Sequence, residues 1–117
     1  MLNKIHDRTV TFSGTTSGVL RMGNSHTMLA IRVPAGFTDC NLTFQVSDAD
    51  DQTADASITD WAQLYQDNGS PYTVTVDADA TNPRTILMSV NVVGNFVRFV
   101  SSVSQTLSVV AKFRGIQ

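Results

Sequence analysis

The chain has 117 residues and a formal net charge of −2, and all ten acidic residues are Asp. One hydrophobic core is affordable at this length, which points to a single domain over residues 1–117. Basic residues are scattered rather than clustered, which argues against nucleic-acid binding, and no apolar run approaches the roughly 20 residues of a membrane span.

Composition also sets the fold class. Glu is absent, Lys occurs only at 4 and 112, and Val and Thr number 14 each. Surface helices use Glu, Lys and Ala, whereas Val and Thr suit a pleated, half-buried surface. The expectation is an all-β fold, an antiparallel β-sandwich of about eight to nine strands.

In chain order, strands are expected at 8–13, 18–22, 27–33, 41–47, 61–66, 72–77, 85–91, 96–102 and 105–114, with turn residues recurring every eight to twelve positions. Gly14 and Gly18 bracket a short segment that reads as a hairpin-like link between the first two strands. In the third strand, alternation turns Leu29, Ile31 and Val33 inward and Met28, Ala30 and Arg32 outward. In the fourth, Leu42, Phe44 and Val46 alternate with Thr43, Gln45 and Ser47. Asn68-Gly69-Ser70-Pro71 is a turn signal between the fifth and sixth strands. The eighth strand is apolar on both faces, with Val97 and Phe99 on one and Phe96, Arg98 and Val100 on the other. Such a strand is either central in its sheet or meets another subunit.

Few residues suggest chemistry. Asp48, Asp50, Asp51 and Asp55 form an acidic loop, and Asp77 and Asp79 a second pair. Calcium takes six to eight oxygens, but the loop lacks the glycine and closing Glu of an EF-hand, so a solvated loop is the better reading. Ser25, His26 and the aspartates supply the residue types of a hydrolytic triad without any nucleophile elbow. The single Cys40 reads as a buried thiol. No cofactor is expected and no enzyme is expected. Trp61 and Tyr65 on one strand face, with Tyr72 across the turn, could stack on a sugar or receptor; core filling is the competing use. The N-terminal segment lacks the apolar centre of a signal peptide, an expectation of synthesis in the cytoplasm without visible export.

The order of four motifs carries a resemblance: Ile31 to Asp48 (IRVPAGFTDCNLTFQVSD), Trp61, Leu64-Tyr65-x-Asp67-x-Gly69, and Phe96 to Ser102 followed by Gln105-Thr106-Leu107. Together they resemble a set of small tailed-bacteriophage virion proteins, departing from the set's pattern at Phe37, Cys40 and Gln66. The resemblance implies a jelly-roll-like capsid decoration (cement) protein. Its partners would be the major capsid protein and its own copies in a homo-oligomer, a trimer being favoured. It would be made in the bacterial host cytoplasm and end on the capsid exterior of the virion. On that reading residues 1–8 are a capsid-contacting arm with Lys4, Ile5, His6 and Arg8 as contacts, and Phe96, Arg98 and Val100 form the subunit interface. The alternative is a carbohydrate- or receptor-binding module of a fibre, using Trp61, Tyr65 and Tyr72.

Overall fold

The computed structural model describes residues 4–22 and 25–115. Its strands are β1 (Lys4–Ser17), β2 (Leu20–Arg21), β3 (Ser25–Val33), β4 (Cys40–Ser47), β5 (Ala62–Gln63), β6 (Thr73–Val76), β7 (Arg84–Val93), β8 (Phe96–Gln105) and β9 (Ser108–Gly115). A 3-10 turn over Asp55–Ser57 interrupts the acidic loop.

All pairings are antiparallel, and their order defines the architecture. With the two-residue β5 set aside, β1 pairs with β9, β2 with β8, β3 with β7 and β4 with β6. First pairs with last, second with second-last, and so inward: a long hairpin. That hairpin is rolled up by two further pairings, β3 with β9 and β4 with β8. The result is one face ordered β1-β9-β3-β7 and another ordered β2-β8-β4-β6, the jelly-roll arrangement of two Greek keys. The expected all-β, jelly-roll-like sandwich is therefore the fold observed.

β1 belongs to both faces. Residues 4–11 pair with β9, whereas Gly14 and Thr16 pair with β8 at Gln105 and Val100. Gly14 makes the transfer with φ 76, a left-handed conformation that side chains with a Cβ seldom adopt. The Gly18 N–H donates to the Thr11 carbonyl across this reversal at 3.0 Å. The expected hairpin link between the first two strands is corrected accordingly: β1 and β2 do not pair with each other, and both lie along β8.

Side chains from both faces meet in one core that includes Phe12, Met28, Ile31, Val33, Leu42, Phe44, Val97, Phe99, Val109 and Phe113. Phe44 sits edge-on to Phe99 (ring centroids 5.2 Å) and to Tyr72 (5.7 Å), a geometry that aromatic quadrupoles favour. Burial of a ring this size stabilises by about 1.5–3 kcal/mol. The alternation read for β4 holds from Leu42 to Val46, although Ser47 at its end is buried, but that for β3 changes phase. A bulge between Met28 and Ala30 shifts the register against both neighbours, so Met28, Ile31 and Val33 are all in the core. One extra residue reverses every later side chain, which plain alternation cannot anticipate.

The expected 61–66 strand contracts to Ala62–Gln63, followed by a single bridge between Tyr65 and Pro71. The turn between them is as expected, with Gly69 at φ 88 and the Asn68 side chain accepting from the Ser70 N–H at 2.9 Å. β8 is central in its face, flanked by β4 on one side and by β1 and β2 on the other.

Candidate functional site

The two outer faces differ in charge. Across the β1-β9-β3-β7 face the outward rows hold Asp7, Lys112, Arg114 and Arg32, with Lys112 Nζ 3.1 Å from Asp7 Oδ2. Leu87, beside Ala30 in the same rows, is 83% exposed. The outward rows of the β2-β8-β4-β6 face run Arg21–Phe96–Ser47, Arg98–Gln45–Gln63, Val100–Thr43–Thr73 and Ser102–Asn41–Thr75. Among the described residues of those rows the charges are Arg21, which is paired with Asp55, and Arg98.

Arg98 is held in place. Its guanidinium lies 4.2 Å from the Trp61 ring centroid, and its Nε donates to Gln45 Oε1 at 2.7 Å. Partial burial pulls its pKa below the ordinary arginine value, because a low-dielectric surrounding disfavours the cation. Among the described residues neither Nη group has a carboxylate or carbonyl partner. By contrast Arg84 reaches Asp79 at 3.4 Å and Arg21 reaches Asp55 at 2.7 Å.

Arg21 organises the acidic loop. It stacks over Phe96 at 4.8 Å and its fork donates to the Asp51 carbonyl (3.0 Å), the Thr53 carbonyl (2.8 Å) and Asp55 Oδ1. Asp50 accepts from the Gln52 N–H at 2.8 Å, turning the chain locally. The loop's base is tied to the β7–β8 turn: Asn95 N–H donates to the Ser47 carbonyl and Asn95 Nδ2 to the Ala49 carbonyl. Ser47 Oγ donates to Asp60. Gly94 in that turn has φ 147, and a Cβ there would stand 3.1 Å from the Ser47 carbonyl oxygen. The loop is thus a clamped structural element. Among the described residues no three His, Cys or Asp side chains converge as a metal site.

The expected arm is strand over its described part. Residues 4–8 pair one for one with β9, from Lys4 opposite Gly115 to Arg8 opposite Ala111. His6 stacks on Phe113 with centroids 5.5 Å apart, Arg8 donates to the Asp7 carbonyl, and Ile5 is 62% exposed. Among the described residues the far edge of residues 4–11 carries no strand. Residues 1–3 lie outside the described residues, as do the side chains of Lys4, Ser25 and His26.

Of the expected interface, Arg98 and Val100 are half-buried on the outer face, whereas Phe96 is 1% exposed. Arg21 covers Phe96 within the chain, so its ring offers no surface to a second molecule. The three aromatics do not form one platform. Trp61 lies on the outer face against Arg98, Tyr65 is 55% exposed beside the turn, and Tyr72 packs inward on Phe44. Parity separates them: Trp61, Gln63 and Tyr65 share one side, while the Tyr72 ring meets a core side chain.

An open groove of about 410 Å³ runs past the end of the same face, lined by Asp39, Cys40, Asn41, Thr75, Val76, Asp77 and Ser102. Its polar groups are largely used internally: Asp39 accepts from the Ala78 N–H, Asn41 from Thr75, and Ser102 from the Asn41 N–H. Cys40 is a buried free thiol, as its position at a strand start suggests.

Sequence reading missed two organising residues. Arg21 looked like one scattered cation, because its three acceptors lie 30 to 34 residues away. Gln105 is 3% exposed and pairs with the Thr38 backbone on both sides, its Nε2 donating to the carbonyl at 2.7 Å and its Oε1 accepting from the N–H at 3.2 Å. A polar amide ending an apolar strand is the signal that could have marked it. Comparison with family models, with curated proteins and with solved structures finds no match.

Proposed function

We propose that the chain is a non-enzymatic structural module of a tailed-bacteriophage virion, a decoration protein that seats on the outer capsid lattice and stabilises the head. It acts as a homo-oligomer, made in the bacterial host cytoplasm and carried on the capsid exterior. The observation that carries this reading is the jelly roll with an open N-terminal edge: among the described residues, 4–10 of β1 have a strand neighbour only on the β9 side, and Ile5 beside that edge is exposed. Such an edge can take a strand from a neighbouring protein by main-chain hydrogen bonding, with pockets for alternate side chains. The motif order described above supplies the virion context, and jelly rolls recur in capsid proteins; that second link is an analogy of fold. A sugar-binding reading is less well supported, since Arg98 already occupies one face of Trp61.

The test uses capsid shells depleted of the protein. Purified chain added back should co-sediment with the shells and raise the temperature or osmotic shock they survive. Shells that neither bind it nor gain resistance would remove the decoration role.

A further inference from the structure

We propose that the β8-β4-β6 outer face is a docking surface for a second copy of this chain, with Arg98 receiving an aspartate of the neighbour. The inference deepens the homo-oligomer part of the function proposed above and rests on it.

Four observations lead there. Arg98 is clamped by the Trp61 ring at 4.2 Å and by Gln45 at 2.7 Å, so its planar fork is already oriented. Its Nη groups have no acceptor among the described residues, unlike the forks of Arg21 and Arg84. On the side of Val100 and Ser102 the rows carry no other charge among the described residues and include half-buried Val100 and Thr43, and on the other side the one cation, Arg21, is already paired with Asp55. Interface centres are depleted of charge and enriched in Trp, Tyr and Arg, and a pre-oriented guanidinium loses little freedom on binding a carboxylate in a bidentate pair.

Charge decides the occupant. The chain carries ten Asp against eight Lys and Arg, and Asp48, Asp67 and Asp77 are exposed on its loops. A copy of the chain therefore presents the anion that Arg98 lacks. Registers that set Arg98 against a loop aspartate of the neighbour are favoured over those that bring like charges together.

Analytical ultracentrifugation of the full chain over a dilution series reads this directly, with Trp61 emission as a local reporter. The wild type should sediment as an oligomer, and Arg98→Gln should raise its dissociation constant about 10- to 100-fold. Thr73→Arg, at an exposed position on the same face, should also dissociate it while circular dichroism stays native; this variant guards against misfolding of the first. Trp61 emission should change on dilution of the wild type across its dissociation range. A wild type that is monomeric throughout overturns the proposal, as do both variants assembling like the wild type. If the monomer coats capsid shells and Arg98→Gln abolishes coating, the carboxylate belongs to the capsid and the second-copy assignment falls while the virion role stands. If assembly depends on Arg98 yet the oligomer ignores capsid shells, the docking surface stands and the decoration role falls.

Discussion

Removing the Arg21 side chain should release the acidic loop, and the geometry gives the size of the effect. Arg21 makes two hydrogen bonds to backbone carbonyls, one ion pair to Asp55 and a stack on Phe96. Each neutral-acceptor bond contributes about 0.5–1.5 kcal/mol net. The ion pair is half-exposed, with side-chain accessibilities of 48% and 55%, so screening holds it to roughly 0.2–1 kcal/mol. A cation–π contact at an exposed site adds about 0.5–1 kcal/mol. These terms share one side chain and overlap, so Arg21→Ala should cost about 2–3 kcal/mol. Asp55→Ala, which removes only the ion pair, should cost about 1 kcal/mol or less. Urea unfolding of both variants measures the difference as a shift in midpoint at unchanged slope. Hydrogen exchange should show Thr53, Ser57 and Ile58 amides opening in Arg21→Ala and protected in Asp55→Ala, because their backbone acceptors lie within the clamped loop. Equal costs for the two variants would refute the reasoning, since the loop would then hang on the ion pair alone.

Other outcomes follow from the same contacts. Gly94→Ala should destabilise by about 1–3 kcal/mol on thermal or urea unfolding, because φ 147 is strained for alanine and its Cβ would press on the Ser47 carbonyl. Gln105→Ala should cost about 1–3 kcal/mol in urea unfolding, leaving the Thr38 N–H and carbonyl without their partner, and Gln105→Glu should restore only half of the pair. The Asp79 carboxyl is held below the ordinary aspartate pKa chiefly by the Thr81 backbone N–H, then by the Thr81 hydroxyl. A depressed folded-state pKa gives stability that is present above the unfolded value and lost as pH falls through the folded one. Asp79→Asn should therefore flatten the stability profile below about pH 4 and leave its shape near neutrality unchanged.

The parts of the fold readable in sequence are those with local causes. Val and Thr enrichment and period-2 alternation located all nine strands, and Asn68-Gly69 marked its turn, because those signals act within a few residues. What escaped depends on distant partners. The Met28–Ala30 bulge is fixed by register against β7 and β9, and the division of β1 between two faces by strands almost a hundred residues away. Tyr72 looked equivalent to Trp61 and Tyr65 until the shortened β5 placed it on Phe44. Phe96 looked like an outward apolar residue, and only the long-range Arg21 stack explains its burial. Arg98 and Val100 were readable as an outward pair, yet the fixed fork that distinguishes Arg98 comes from Trp61, 37 positions earlier.

The central claim is that this chain sits on a capsid, and a virion density map tests it most directly. The account predicts the jelly roll on the outer lattice, with β1 residues 4–11 lying against capsid protein and the Arg98 face turned to the next copy. Density for the chain on a tail fibre tip, or no density on the head at all, would contradict it.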